Sequence, residues 1–183
     1  MKNHIIFTLL VLTLLNSCSS KKHLEFENIP VGGKLDTFTL SLLKSGFIKT
    51  HPAKENTQTF EGNYLEKYCT IEVFATNNNR TVYKVRVNMP SVKGDSLKLN
   101  FESIQRIFTA RYGNGKSRYQ QYKNPKRLLF NEPGIKRVLK RGDNTTFTTV
   151  EGKIRIEVQD GYISITYLNT ANNEIRKRES NDT

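Results

Sequence analysis

The chain contains few of the residues on which metal centres and disulfide scaffolds depend. Its 183 residues include two cysteines and three widely spaced histidines. Two cysteines exclude a disulfide framework and a cysteine-rich zinc site, and the scattered histidines argue against a histidine-based metal centre. No apolar run reaches the roughly 18 residues that a spanning helix needs. We therefore expect no metal, no cofactor and no transmembrane helix.

Positive charge, by contrast, is plentiful. Lysine and arginine total 29 against 17 acidic residues, which gives a formal charge of +12. The hydrophobic share of 36% and the aromatic share of 10% are enough to seed one core, and the length suits a single domain. A basic protein of this kind is expected to have anionic surroundings or partners.

The first 17 residues have the pattern of an export signal. Lys2 provides a positive start, and residues 5–15 form an apolar stretch interrupted only by two threonines. Residues 15–18 read Leu-Asn-Ser-Cys, which resembles a bacterial lipobox. We interpret 1–17 as a lipoprotein signal peptide and Cys18 as the residue that carries acyl chains such as palmitate. The alternative is an ordinary secretory signal followed by a chance cysteine.

This interpretation divides the chain into four parts. Residues 18–28 would be the lipidated N-terminus and a tether, and 29–170 a single domain. Within that domain, 114–143 would form a basic excursion with little regular structure. Residues 171–183 are charged and are expected to fray.

Hydrophobic periodicity predicts an α+β fold. The predicted helices cover 35–47 and 96–112, and the predicted strands cover 60–64, 68–76, 81–89, 147–150, 154–158 and 163–167. Asp95 or Ser96 is the expected N-cap of the second helix, although residues 95–97 also resemble a bacterial O-glycosylation site. This order predicts an antiparallel sheet with two helices packed on one face, built as two tandem α-β-β-β units.

Cys69 would be the only thiol left after lipidation of Cys18. It alternates with polar residues in the predicted strand 68–76, which favours a small hydrophobic side chain facing the core. The alternative is a nucleophilic role.

Several short segments carry a resemblance to a known group. They are the lipobox at 15–18, the opening at 26–36, the helix end at 45–47, the strand at 60–62 and the helix end at 110–113. Together they resemble small uncharacterised lipoproteins of Bacteroides and related bacteria. This resemblance implies no activity and no catalytic residues. At the level of fold, tandem α-β-β-β units are similar to β-lactamase-inhibitor-like and small outer-membrane lipoprotein modules, which bind other proteins.

The basic residues are concentrated in one segment. Residues 106–141 hold eleven lysines and arginines, opposed only by Glu132. The side chains expected to contact an anion or a partner are Arg118, Lys123, Lys126, Arg127, Lys136, Arg137, Lys140 and Arg141. An arginine guanidinium can bind a phosphate or carboxylate group through two parallel hydrogen bonds. The alternative is a solvated loop whose charge only aids solubility.

No set of residues has the spacing of a catalytic motif, so we do not expect an enzyme. The sequence favours a non-enzymatic, lipid-anchored cell-envelope protein that acts as a protein-binding module. The alternative is a binder of lipopolysaccharide, phospholipid or acidic glycan through the basic segment 106–141. Nucleic acid is not expected as a partner of an exported protein. The basic residues after Cys18, where surface-exported lipoproteins of this group often have acidic ones, favour an outer-membrane anchor that faces the periplasm.

Overall fold

A computed structural model describes residues 22–50, 56–92, 94–119 and 139–181. Its helices are α1 (Leu35–Lys44), α2 (Asp95–Tyr112) and α3 (Thr170–Glu179). Its strands are β1 (Glu25–Phe26), β2 (Ile29–Pro30), β3 (Ile48–Lys49), β4 (Thr57–Tyr64), β5 (Lys67–Ala75), β6 (Val82–Asn88), β7 (Lys116–Arg118), β8 (Asn144–Thr148), β9 (Gly152–Val158) and β10 (Ile163–Asn169). The predicted lipidation residue, Cys18, lies outside these ranges.

The main sheet has eight strands in the order β3-β4-β5-β6-β10-β9-β8-β7, and every neighbouring pair is antiparallel. The strands that follow α1 form one half and the strands that follow α2 form the other. The two halves meet where β6 pairs with β10. The predicted α+β fold is therefore confirmed, and each half carries one short edge strand, β3 or β7, beyond the three strands predicted.

One face of this sheet builds the core. Phe60, Ile71, Val87, Ile165 and Ile156 lie opposite one another on five neighbouring strands, and each is fully buried. Burial of each such side chain contributes about 1.5–3 kcal/mol.

The two helices that the sequence predicted, α1 and α2, pack on this face, as expected. The buried residues of α1 are Leu35, Phe38 and Leu42, and those of α2 are Phe101, Ile104 and Phe108. All six belong to the same hydrophobic cluster as the inward residues of the sheet. None of the helices in the described ranges is long and apolar enough to cross a bilayer. The N-cap of α2 is Gly94, and neither Asp95 nor Ser96 takes that position.

The start of the domain differs from the prediction. Residues 18–28 were expected to form a tether, but Leu24 and Phe26 are buried in the core and β1 pairs with β2. The Phe26 ring packs against the rings of Phe47, Tyr64 and Tyr167. Two apolar residues in a short segment give no measurable periodicity, so sequence patterns could not detect this contribution.

The predicted frayed tail is also wrong, since α3 occupies most of it. The Asn169 side chain caps the helix by accepting a hydrogen bond from the Asn172 backbone N–H. Near its other end, the Glu179 carboxylate accepts hydrogen bonds from the backbone N–H groups of Asn77 (2.7 Å) and Asn78 (3.2 Å). The helix has no buried residue, so it lacks the apolar stripe by which a helix is recognised in a sequence.

Candidate interaction surface

The second face of the eight-stranded sheet lies opposite the core. We call it the open face and define it by three rows of residues that share a register across the strands. The first row is Glu61, Thr70, Asn88, Ser164, Glu157, Asn144 and Arg118. The second row is Thr59, Glu72, Arg86, Thr166, Arg155, Thr146 and Lys116. The third row is Thr57, Phe74, Lys84, Leu168, Lys153 and Thr148.

The open face is mostly polar and carries an excess of positive charge. Its six cations are Lys84, Arg86, Lys116, Arg118, Lys153 and Arg155, and its three acids are Glu61, Glu72 and Glu157. Two apolar side chains, Phe74 and Leu168, are half-buried among them. In the part of the chain that the structure describes, only α3 packs on this side, beside the third row.

Aromatic rings and cations form a cluster at the third row. A register shift between Phe74 and Ala75 places Tyr83 beside Phe74, with the ring centroids 6.3 Å apart. The Lys84 ammonium lies 3.7 Å from the centre of the Phe74 ring. The guanidinium of Arg176, on α3, lies 5.6 Å from the centre of the Tyr83 ring. Contacts of this kind are each worth about 0.5–2 kcal/mol and hold the cations in place.

The environment of Lys84 disfavours its charge. Burial is the largest cause, and the nearby charges of Arg86 and Arg176 add to it, while Glu72 opposes them. Together they lower the pKa of Lys84 to about 8. A cation that is destabilised in this way gains more than an exposed lysine does when an anion approaches.

A groove of about 330 Å³ lies at the other end of the open face. Its lining includes Glu61, Thr70, Asn88 and the rings of Tyr68 and Tyr162. The Tyr68 hydroxyl donates a hydrogen bond to the Glu61 carboxylate (3.1 Å), and this bond is the main cause of a raised Tyr68 pKa. Tyr68 is 57% exposed, so the groove offers an aromatic surface next to polar groups.

The structure describes three of the eight basic residues that were predicted to bind an anion or a partner. Arg118 lies on the open face, opposite Asn144. Lys140 and Arg141 come just before β8, at the same end of the sheet. The Lys140 backbone N–H donates a hydrogen bond to Asp143, and the Arg141 guanidinium pairs with Asp160 at 2.9 Å. The other five, Lys123, Lys126, Arg127, Lys136 and Arg137, lie outside the described residues.

The strand cations were not among the predicted site residues. Lys84 and Arg86 alternate with buried valines in the predicted strand 81–89, and such alternation indicates only a strand with one polar face. Their proximity to Arg155 and Lys153 follows from the pairing of β6 with β10, which joins residues far apart in the chain. No local pattern reports such a pairing.

Cys69 faces the core, as predicted. It is 2% exposed, and its sulfur lies 3.4 Å from the sulfur of Met89. Burial raises the pKa of Cys69 to about 11, which disfavours the nucleophilic thiolate. Among the described residues, no three histidine, cysteine, aspartate or glutamate side chains are grouped closely enough to hold a metal ion.

We compared the chain with protein-family models, with curated proteins and with solved structures, and none of them matched.

Proposed function

We propose that this chain is a non-enzymatic, lipid-anchored protein of the bacterial cell envelope that binds another protein through its open face. The observation that supports the proposal is a broad sheet surface whose rows combine cations, threonines and half-buried apolar side chains. Protein interfaces typically combine an aromatic or arginine-rich centre with a polar rim.

The proposed anchor at Cys18 fits the position of the first described residues. The His23 imidazole contacts the Glu151 carboxylate at 2.5 Å, and the Leu24 backbone N–H donates a hydrogen bond to the same carboxylate (2.7 Å). Cys18 precedes His23 by five residues, a span of at most roughly 18 Å. An acylated Cys18 would therefore hold this end of the domain close to the membrane, and we expect that membrane to be the outer one, with the domain facing the periplasm. Changing Cys18 to serine should then move the protein from the membrane fraction to the soluble fraction.

A photo-crosslinking experiment tests the binding surface. A photoreactive amino acid at Thr166, in the middle of the second row, should capture a single partner protein from intact envelopes. The same amino acid at Leu99, which is 63% exposed on α2, is the control and should not capture that protein.

The captured protein must then bind the purified chain, and Thr166→Glu must weaken that binding. An interface with apolar contacts should also survive a high-salt wash, whereas purely ionic binding should not. The same products from both crosslinking positions would overturn the proposal.

The concentration of charge in 106–141 favours a second candidate function, the binding of lipopolysaccharide, phospholipid or acidic glycan. Eleven cations in 36 residues form a strong anion-attracting segment. The variant in which Lys136, Arg137, Lys140 and Arg141 are all neutralised tests it. Unchanged binding of this variant to anionic vesicles would eliminate the second candidate.

A further inference from the structure

Three cations converge at the junction of the open face and α3. Lys84 and Arg86 come from β6, and Arg176 comes from α3. They surround the rings of Phe74 and Tyr83, at 3.7 to 5.7 Å from the ring centres. We call these three side chains the cation cluster.

The described residues provide the cluster with only one acid. The Glu72 carboxylate lies 3.5 Å from Arg86, and its same oxygen also accepts a hydrogen bond from the Asn88 amide (3.2 Å). Within the described ranges, the Lys84 ammonium contacts only the rings of Phe74 and Tyr83. The cluster therefore has three cationic side chains against one nearby carboxylate.

Arg176 is held in place but is not fully paired. Its Nη1 group donates to the Ser180 hydroxyl at 3.4 Å, while its buried Nε–H has no acceptor among the described residues. The rest of α3 is fixed by Glu179 and by the Asn172 amide, which donates to the Val82 carbonyl (3.1 Å). The Arg176 guanidinium therefore keeps hydrogen-bonding capacity that the described residues do not use.

We propose that the cation cluster is a carboxylate-binding site that receives an acidic segment of the protein partner. The inference rests on the proposed function, since it names the chemistry of the partner that the open face binds. An arginine guanidinium binds a carboxylate through two parallel hydrogen bonds, and a lysine adds a point charge beside it.

The surroundings of the cluster favour a protein over a lipid headgroup. Phe74, Tyr83 and Leu168 lie next to the cations, and the combination of aromatic rings with arginine is typical of the centre of protein interfaces. The lowered pKa of Lys84 agrees with the geometry, because a bound carboxylate would raise that pKa again.

The test uses the full lipidated chain in nanodiscs of neutral phosphatidylcholine. The probe is a fluorescein-labelled hexaglutamate peptide, measured by fluorescence anisotropy at low salt, with hexaglutamine as the neutral peptide. The binding variant is Lys84→Met with Arg176→Gln, since methionine keeps the packing over the Phe74 ring. The matched control is Lys44→Met with Lys49→Gln, which removes the same charge from exposed positions on α1 and β3.

We expect the binding variant to bind hexaglutamate at least tenfold more weakly than the unmodified chain, and the control less than twofold more weakly. Lys84→Arg, which keeps the charge, should bind within threefold of the unmodified chain and guards against a misfolded double variant. An equal loss in the binding variant and the control would overturn the proposal, because it would show that only net charge matters. Equal binding of hexaglutamate and hexaglutamine would overturn it as well.

A third arm measures binding to phosphatidylglycerol vesicles. Binding to these vesicles that depends on Lys84 and Arg176, without binding of hexaglutamate, would assign the cluster to a lipid headgroup and overturn the carboxylate proposal.

The crosslinked partner separates this inference from the proposed function. Capture through Thr166 that is unaffected by the binding variant would leave the proposed function intact and reject the carboxylate site.

Discussion

The burial of Phe26 gives the sharpest test of the fold, because it decides whether the N-terminal segment is a tether or part of the core. Phe26 is fully buried and packs against the rings of Phe47, Tyr64 and Tyr167 at centroid distances of 5.1 to 5.8 Å. Replacing a buried phenylalanine with alanine costs about 3–5 kcal/mol. Phe26→Ala should therefore remove about a fifth or more of the roughly 5–15 kcal/mol that stabilises a typical domain.

Urea unfolding, followed by circular dichroism, measures this loss. The control is Ile48→Ala, because Ile48 is 61% exposed and should change the free energy of unfolding by less than about 0.5 kcal/mol. In a chain of this size, the Phe26 variant should also melt about 6–20 °C lower. A loss below 1 kcal/mol would refute the reasoning and restore the tether.

Three further predictions concern other parts of the molecule. Gly152→Ala should lower the free energy of unfolding by several kcal/mol, because the added Cβ would lie 1.9 Å from the backbone carbonyl oxygen of Leu168. Gly33→Ala is the control in the same urea assay and should be nearly neutral, because the space around Gly33 is open. The hydrogen bond and charge of Glu151 raise the pKa of His23. Burial raises the pKa of Glu151, but the hydrogen bonds from His23 and Leu24 together outweigh burial and leave that pKa lowered. The amide of Leu24 should therefore be best protected from hydrogen exchange between about pH 4.5 and 6.5. It should lose protection as pH falls through the lowered pKa of Glu151 or rises through the raised pKa of His23, on which Glu25 is the other acid that acts. Glu151→Gln should abolish this dependence on pH. Lys84 has a pKa of about 8, and the charges acting on it are those of Arg86, Arg176 and Glu72. Hexaglutamate should therefore bind more weakly as pH rises through 8, and Lys84→Arg should remove that decline. A flat pH profile of binding in the unmodified chain would contradict this prediction.

The sequence predicted the central architecture because its strands carry a regular signal. Every second residue is apolar and buried from Cys69 to Ala75 in β5, and from Val85 in β6 to Met89 just after it. An antiparallel sheet with one buried face requires this alternation. The helices could be predicted for the same reason, since apolar residues such as Phe101, Ile104 and Phe108 recur at helical spacing.

The two ends of the domain could not be predicted in this way. Phe26 is anchored by rings that lie 21 to 141 positions further along the chain, and α3 is held by polar contacts such as that of Glu179 with the turn before β6. Both kinds of contact are nonlocal, and neither leaves a periodic pattern in the segment itself. Tertiary contacts here override local propensity.

The interaction surface was missed for a related reason. The density of positive charge along the chain is visible in a sequence, and it is high in the run at 106–141. The cation cluster draws on three separate segments, and only the docking of α3 brings Arg176 to β6. Charge density in space and charge density along the chain are different quantities.

The pairing of β6 with β10 also has a consequence for how the chain reaches its fold. Most neighbouring strands of the sheet are close in sequence, whereas Val87 and Ile165 face each other across about 80 residues. Folding rates fall as the average sequence separation of contacts increases. The pairing of β6 with β10 is therefore the step that should limit the folding rate. Until these strands pair, β6 and β10 each present an unpaired edge of alternating apolar residues. Those edges are complementary to each other and, equally, to the same edges in a second molecule, which makes exchange of halves between two chains the characteristic misfolding route of this architecture.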